Sequence, residues 1–198
     1  ILTMIVSAPL IASAEVSNVL IDFENYNIGQ YPSVFKNFSN GSGLSNQKVM
    51  EVDYGSTKTK AFRIISGSNR ESAHYMDLQD EPMTSLVLTA NIKPLSNGKL
   101  GELSLNSGLT NTSLLPKLIF DNGKLYATDK DSTNSLKEVG VFQKDNWYNV
   151  ILSVNLVANT YDLHIDGVLK AQNLKIDDVD PDKVFLMTYK GTTNEMYF

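Results

Sequence analysis

Short runs in which apolar and polar residues alternate recur along the chain from residue 18 to its end. In SLVLTANI (85–92), Leu86, Leu88 and Ile92 share one face of an extended chain, and Asn91 points the opposite way. A strand that buries one face against a second layer shows this alternation. The pattern therefore predicts half-buried strands, because no stretch after residue 15 keeps the periodicity of an amphipathic helix.

Turn residues separate these runs at a regular spacing, which predicts roughly thirteen strands in a β-sandwich or barrel. The predicted runs include 18–24, 47–54, 60–66, 72–78, 85–93, 99–106, 136–142, 147–156, 183–189 and 195–198. Asn122-Gly123 and Asp166-Gly167 are two-residue hairpin signals. Only 176–184 indicates a helical turn.

The first residues, ILTMIVSAPLIASAE, are apolar and uncharged up to Glu15, and Ala12-Ser13-Ala14 matches a signal-peptidase site. We interpret residues 1–14 as a partial signal peptide without its basic n-region, too short for a membrane span. Residues 15–198 then form one domain of a secreted or cell-surface protein. Because Phe198 ends the sequence inside a predicted strand, we expect the domain to continue beyond it and further domains in the same polypeptide.

The amino-acid composition argues against several classes of function. The 198 residues include 22 acidic and 17 basic side chains, for a net charge of -5, and no basic cluster of the kind that binds nucleic acid. The absence of cysteine excludes disulfides, zinc-thiolate sites and iron–sulfur clusters.

The stretch WYNVILSVNL, followed by NTYDLHIDG, resembles the concanavalin A-like lectin/glucanase superfamily, in particular its laminin-G-like bacterial members. In that pattern a tryptophan opens a long strand, and after a turn a second strand closes on Asp-Gly. LIDFENYNIGQYPSVF is similar to the opening strand of such secreted modules. The resemblance implies an all-β fold, a two-sheet antiparallel jelly-roll β-sandwich. It covers lectins, carbohydrate-binding modules, glycosidases, lyases and adhesion modules, so it does not specify the function.

Two patterns in the sequence are candidate enzyme sites. Glu51 and Asp53 match the first two acids of the E-x-D-x-E motif of related glycosidases, but glycine or serine replaces the third acid. NRESAHYMD (69–77) holds the arginine, histidine and tyrosine that polysaccharide lyases use, without the strand motifs of those families. Both patterns also fit an ordinary strand surface.

A glycan site needs aromatic faces for stacking and polar groups for the hydroxyls. The candidate ligand-binding residues are Arg63, His74, Tyr75, Glu102 and Tyr189. Trp147 suits stacking by type, but it opens a framework strand, so the sequence favours a packing role for it.

The two histidines, His74 and His164, have no partner at ligand spacing, which argues against a transition-metal site. Calcium prefers carboxylate and carbonyl oxygens. Asp22 and Glu24 in the first strand are therefore candidate ligands of a structural Ca²⁺, completed by an acid beyond residue 198.

The sequence thus predicts a non-catalytic, secreted carbohydrate-binding or adhesion module whose partner is a polysaccharide or glycan. Two alternatives stay open: a glycoside hydrolase or polysaccharide lyase that uses the concave sheet, and a purely structural module. At least two carboxylates, or an arginine with a histidine or tyrosine, converging in the concave groove would favour the enzyme. One or two exposed aromatic faces beside polar side chains in that groove would favour binding.

Overall fold

A computed structural model describes residues 16–40, 43–78, 83–109, 113–191 and 194–198. Within these ranges the chain forms fifteen strands in two sheets, and the only helical segments are two single 3₁₀ turns, at 44–46 and 133–135. The predicted two-sheet β-sandwich is therefore confirmed. The predicted signal peptide, 1–14, lies outside the described residues.

The first sheet has eight strands. They are β1 (Val16–Leu20), β3 (Lys48–Tyr54), β4 (Thr57–Ile65), β6 (Ser85–Pro94), β11 (Tyr148–Asn155), β12 (Thr160–Ile165), β13 (Val168–Lys175) and β15 (Glu195–Tyr197). The order is β13-β12-β11-β6-β15-β4-β3, and β1 pairs with β6 on the edge that β15 also uses. The β1–β6 pair is parallel, whereas the other described pairs are antiparallel.

The second sheet has seven strands in the order β10-β9-β8-β7-β14-β5-β2. They are β2 (Lys36–Asn40), β5 (Ser72–Asp77), β7 (Gly101–Asn106), β8 (Lys117–Asp121), β9 (Lys124–Thr128), β10 (Leu136–Val141) and β14 (Lys183–Thr188). Its described pairs are all antiparallel.

The core lies between the inner faces of the two sheets, and the alternation seen in the sequence decides which side chains enter it. In β6 every second residue is buried, so Leu86, Leu88 and Ile92 face the core and Asn91 faces out. A buried hydrogen bond of 2.7 Å from the Tyr161 hydroxyl of β12 to the Thr128 carbonyl of β9 joins the two sheets.

Both predicted hairpin turns form as expected. Asn122 and Gly123 have φ of 50° and 77°, and Asp166 and Gly167 have φ of 53° and 73°, as turns with two left-handed residues require. Three details differ from the sequence prediction. The first strand ends at Leu20 instead of residue 24, so Asp22 and Glu24 lie in the connection that follows it. The polar edge strand β2 was not predicted, and residues 176–182 form an irregular connection instead of a helical turn.

An aromatic cluster fills one part of the core. Phe62 lies 5.7 Å from Phe23 and 5.7 Å from Phe35 between ring centroids, and the His74 ring lies 5.2 Å from Phe62. A hydrogen bond of 2.9 Å joins His74 Nδ1 to the Tyr31 hydroxyl, and His74 Nε2 has no partner in the described part of the chain. Burial lowers the pKa of His74 to about 4, because a charged imidazolium would lose its hydration there.

Among the described residues, no helix has the length and apolar character needed to cross a membrane.

Gly101 should tolerate no side chain. A Cβ built on it would lie 1.9 Å from the Met187 carbonyl oxygen of the neighbouring strand, which cannot move without breaking the sheet pairing. We expect Gly101→Ala to lower the free energy of unfolding by about 3 kcal/mol or more, measured by urea denaturation. Gly98→Ala is the matched control, because its nearest neighbour would be Ser96 Oγ at 3.7 Å. An equal loss in both variants would contradict the close contact.

Stability should fall as the pH falls from 6.5 towards 4. The unfolded chain binds a proton at His74 near the ordinary pKa of 6.5, whereas the folded core resists it until about pH 4. Protonation in this window therefore favours unfolding, by at most about 3 kcal/mol for a shift of this size. The measurement is the free energy of unfolding in urea at several pH values between 7 and 4.5, above the range where most carboxylates titrate.

His74→Leu should reduce that pH dependence, even though it removes the hydrogen bond with Tyr31 and so lowers stability at every pH. His164→Asn, which leaves the core histidine in place, should keep it. A pH dependence that His74→Leu leaves unchanged would contradict the assignment.

Candidate functional site

The five predicted ligand-binding residues do not form one site in the structure. His74 is 0% exposed in the aromatic cluster, so it is out of reach of a glycan at the surface. Arg63 lies on the outer face of the eight-stranded sheet, where its guanidinium donates to both Glu195 carboxylate oxygens at 2.5 and 3.1 Å. This two-point contact with Glu195 raises the pKa of Arg63. The guanidinium that was predicted to bind a ligand is therefore paired with a carboxylate of the protein.

Tyr75 lies on the outer face of the seven-stranded sheet. Its ring stacks on Phe185 with centroids 5.4 Å apart, and Phe185 also meets the ring of Phe38 edge-on at 5.8 Å. The ammonium groups of Lys36 and Lys183 each lie 5.9 Å from the Tyr75 ring centroid. The half-buried ring of Tyr75 is thus held by neighbours, although Phe38 leaves apolar surface exposed beside it.

Glu102 and Tyr189 do come together, in a closed network on the same face. The Tyr189 hydroxyl donates to Glu102 Oε2, and Ser104 Oγ and Lys117 Nζ both lie 3.1 Å from Oε1. Burial, and then the negative charge of Glu102, raise the pKa of the Tyr189 hydroxyl. Because Glu102 is only 4% exposed and each oxygen already has a partner, the network has the features of a structural one.

A cleft of about 140 Å³ opens on the outer face of the eight-stranded sheet. Two aromatic residues, Tyr54 at the end of β3 and Trp147 just before β11, form part of its wall. The lining also includes four polar residues, Asp22, Thr59, Lys60 and Asn91. Three buried residues, Ile21, Phe23 and Phe198, supply the rest of the lining.

Trp147 is fixed within the cleft wall. Its indole N–H donates to the Asp53 carbonyl at 2.7 Å, its ring centroid lies 5.4 Å from that of Tyr54, and Lys93 Nζ lies 5.9 Å from the ring. Asp53 in turn pairs with Lys58 at 2.6 Å. The tryptophan therefore packs against the edge of the sheet, as the sequence suggested, and also borders a cavity, which the sequence did not suggest.

Several polar atoms at the cleft have no partner among the described residues. Asp22 Oδ1 accepts from the Glu24 backbone N–H at 2.9 Å, which leaves Oδ2 uncommitted. Asn91 Oδ1 accepts from Asn149 Nδ2 at 2.9 Å, which leaves the Asn91 amide hydrogens uncommitted. The Tyr54 hydroxyl is likewise unpaired within the described chain, and Tyr54 is 40% exposed. One acceptor, one donor and one hydroxyl are thus available beside an aromatic wall.

The Glu24 carboxylate is bound to strand β4. It accepts hydrogen bonds from the Thr59 hydroxyl and, at 2.9 Å, from the Lys60 backbone N–H. These two bonds lower the pKa of Glu24 and hold it ionised. Within the described ranges no three acidic, histidine or cysteine side chains cluster as a metal site would require. Asp22 and Glu24 alone supply fewer oxygens than the six to eight that Ca²⁺ takes, so the calcium site stays a prediction.

Neither enzyme pattern lies in the cleft, and β5 divides the lyase pattern, with His74 in the core and Tyr75 on the outer face. Glu51 and Asp53 are exposed on the edge strand β3, and Asp53 is paired with Lys58. Of the described residues that line the cleft, only Asp22 carries a carboxylate. Glycoside hydrolysis in most families needs two carboxyl groups across the bond, one of them protonated.

Sequence reasoning missed Asn91, and it considered Asp22 only as a metal ligand. Asn91 carries a usable signal, since it is a polar residue on the outer face of an otherwise apolar central strand. Its closeness to Trp147 depends on the pairing of β6 with β11, where Asn91 lies opposite Asn149, and no local pattern contains that information.

Comparison with known proteins adds evidence on the fold. No family model and no curated protein matches the sequence. Among solved structures, the Emp47p carbohydrate recognition domain is 12% identical over 89% of this chain and 89% of its own, with a TM-score of 0.55. The Bacillus licheniformis beta-glucanase is 15% identical over 89% of this chain and 92% of its own, with a TM-score of 0.50.

A sialidase is similar over 84% of this chain, with 8% identity and a TM-score of 0.55, but this chain spans only 18% of the sialidase. Identities this low show a common architecture and nothing about the activity. The predicted resemblance is therefore confirmed for the fold: the chain has the two-sheet jelly-roll sandwich of concanavalin A-like lectins and glucanases.

Proposed function

We propose that the protein is a non-catalytic carbohydrate-binding module, secreted or displayed at the cell surface, that binds sugar in the Trp147–Tyr54 cleft. The observation that carries the proposal is the pairing of aromatic rings with uncommitted polar atoms. Tyr54 and Trp147 form one wall, and Asp22 and Asn91 present a free acceptor and free donors in the same cavity.

This arrangement suits the two-sided chemistry of a sugar ring. A pyranose has an apolar face of C–H groups, which packs against aromatic rings, and a rim of hydroxyls, which both donate and accept. A carboxylate oxygen such as Asp22 Oδ2 accepts from a hydroxyl, and an amide such as that of Asn91 donates to its neighbour. Hydrogen bonds to a charged group are stronger than neutral ones, so Asp22 is expected to contribute most.

The lining favours binding over catalysis. A single carboxylate among the described lining residues cannot divide the roles of acid and nucleophile or base. Glu24, the nearest additional acid along the chain, is held ionised by Thr59 and Lys60 and is a poor proton donor at neutral pH. The buried acid Glu102 lies on the opposite sheet in its closed network.

The structural neighbours support the proposal without deciding it. One of them is described as a carbohydrate recognition domain and another as a beta-glucanase, so this sandwich occurs in proteins that handle carbohydrates. The apolar, uncharged stretch 1–14, with its Ala12-Ser13-Ala14 cleavage pattern, supports secretion, and in such a secreted module we expect neighbouring domains in the same chain.

Trp147 provides a direct assay, since it is the only tryptophan and it borders the cleft. A glycan array identifies which sugars bind, and titration of the intrinsic fluorescence with those sugars gives Kd. We expect Asp22→Asn, Asn91→Ala and Tyr54→Ala each to weaken binding by about 10- to 100-fold, the loss typical for one well-placed contact.

Tyr75→Ala is the matched control, because it removes a tyrosine ring from the outer face of the opposite sheet. It should leave Kd unchanged, with circular dichroism melting used to verify that each variant is folded. Loss of binding in Tyr75→Ala alone would place the site on the seven-stranded sheet and reject the cleft. An array without any bound glycan would leave the structural-module alternative.

A further inference from the structure

The sequence contains Asn-Gly dipeptides at 40–41, 97–98 and 122–123, and the last two lie wholly within the described residues. We propose that Asn97 is a site of spontaneous covalent modification, at which the asparagine cyclises onto Gly98 and becomes isoaspartate or aspartate, whereas the fold protects Asn122 from the same reaction. This inference is independent of the carbohydrate-binding function proposed above.

The reaction needs only the chain and water. The backbone nitrogen of Gly98 forms a bond to Cγ of Asn97, and the bond from Cγ to Nδ2 then breaks. The Nδ2 amino group leaves as ammonia with the proton of the Gly98 nitrogen, and a succinimide ring remains. Water opens the ring at Cγ to give aspartate, or at the backbone carbonyl carbon to give isoaspartate. A glycine at the second position favours ring closure, because it has no Cβ to obstruct it.

The surroundings of Asn97 leave room for this ring. Asn97 is exposed in the irregular connection 95–100 between β6 and β7, outside both strands. A Cβ built on Gly98 would meet Ser96 Oγ at 3.7 Å and no other described atom within 4 Å. The Gly98 N–H has only a long hydrogen bond, 3.3 Å to Ser96 Oγ, so little has to be broken before its nitrogen can attack.

The side-chain amide of Asn97 is also held in a way that suits the reaction. The Lys144 backbone N–H donates to Asn97 Oδ1 at 2.8 Å. This oxygen becomes negatively charged in the tetrahedral intermediate, and an N–H group already fixed beside such an oxygen stabilises the charge. Nδ2, which leaves as ammonia, has no hydrogen-bond partner among the described residues.

Asn122 has a different environment. It is the first of two left-handed residues in the β8–β9 hairpin, with a φ of 50°, and the pairing of Asp121 with Lys124 closes that turn. Its Nδ2 donates to Asp121 Oδ1 at 2.8 Å, and its N–H donates to the Gly98 carbonyl at 2.9 Å. Ring closure would break these contacts, and the Asp121 carboxylate opposes the negative charge of the intermediate.

The modification is expected to leave the sandwich folded. Isoaspartate adds one carbon to the backbone of the loop, and either product adds one negative charge. The Leu95 N–H donates to the Glu195 carbonyl at 3.1 Å, and the Asp145 N–H donates to the Pro94 carbonyl at 2.7 Å. These bonds hold the start of the loop without Asn97, so the product is a more acidic form of the same fold.

Timed incubation of the folded protein at mildly alkaline pH, followed by tryptic peptide mapping with mass spectrometry, tests the inference. Trypsin separates the two sites, because Asn97 precedes Lys99 and Asn122 lies between Lys117 and Lys124. A sample digested at time zero corrects for conversion during digestion. We expect Asn97 to be converted about tenfold or more faster than Asn122, with isoaspartate among the products.

Gly98→Ala is the matched variant. The open space beside Gly98 accommodates the methyl group, so the variant should fold, yet its Cβ should slow conversion at Asn97 by about tenfold. The unfolded chain in guanidinium chloride is the control for structure, and there the two asparagines should react at similar rates. Equal rates in the folded protein would overturn the inference. An Asn97 that stays intact in the folded protein but reacts in the unfolded chain would also overturn it.

Discussion

The central strand β6 has different neighbours on its two edges. β11 pairs with one edge from Ser85 to Ile92. On the other edge β1 runs parallel beside Ser85–Thr89, and β15 pairs with Lys93 and Pro94. The pairing with β11 places Asn91 opposite Asn149, and both Asn91 and Trp147, which lies just before β11, line the cleft.

The strands around the cleft are held in place by contacts within the protein that do not involve a ligand. Phe62 and Phe198 exchange two backbone hydrogen bonds of 2.9 and 3.1 Å, which hold the end of β15 against β4. Arg63 and Glu195 reinforce the same pair on the outer face. Phe23 anchors the segment after β1 in the aromatic core beside Phe62. A site that is rigid before binding loses less conformational entropy when the ligand arrives.

The fold could be predicted largely from the sequence, because burial on one face of a strand leaves a period of two in the residues themselves. The alternation in β6 and the Asn122-Gly123 and Asp166-Gly167 turns are local signals, and all three are present in the structure. β2 was missed for the complementary reason. It is an edge strand, Lys36–Asn40, made mostly of polar residues and paired to β5 with a shift in register, so burial imposes little pattern on it.

The site was harder to predict, because a polar residue on an outer face looks the same in sequence whether its partners are protein atoms or solvent. Glu102 and Tyr189 are 87 positions apart, and only the pairing of β7 with β14 shows that they satisfy one another. His74 was read as a surface group, yet its strand places it on the inner face opposite Leu186. Asp22 and Asn91 are polar residues of the same kind, but each has a side-chain atom without a partner among the described residues.

A framework role for Trp147 is compatible with the binding role proposed for it. Its position before β11 fixes the backbone, and its indole N–H is fixed by the Asp53 carbonyl of another strand, so the ring has little freedom to reorient. A ring that turned freely would lose that freedom on binding, at a cost in affinity. The ring that packs the edge of the sheet is therefore also the one best suited to meet a sugar. The property that made it a framework residue in the sequence, a strand-opening tryptophan, is what makes it a rigid wall in the cleft.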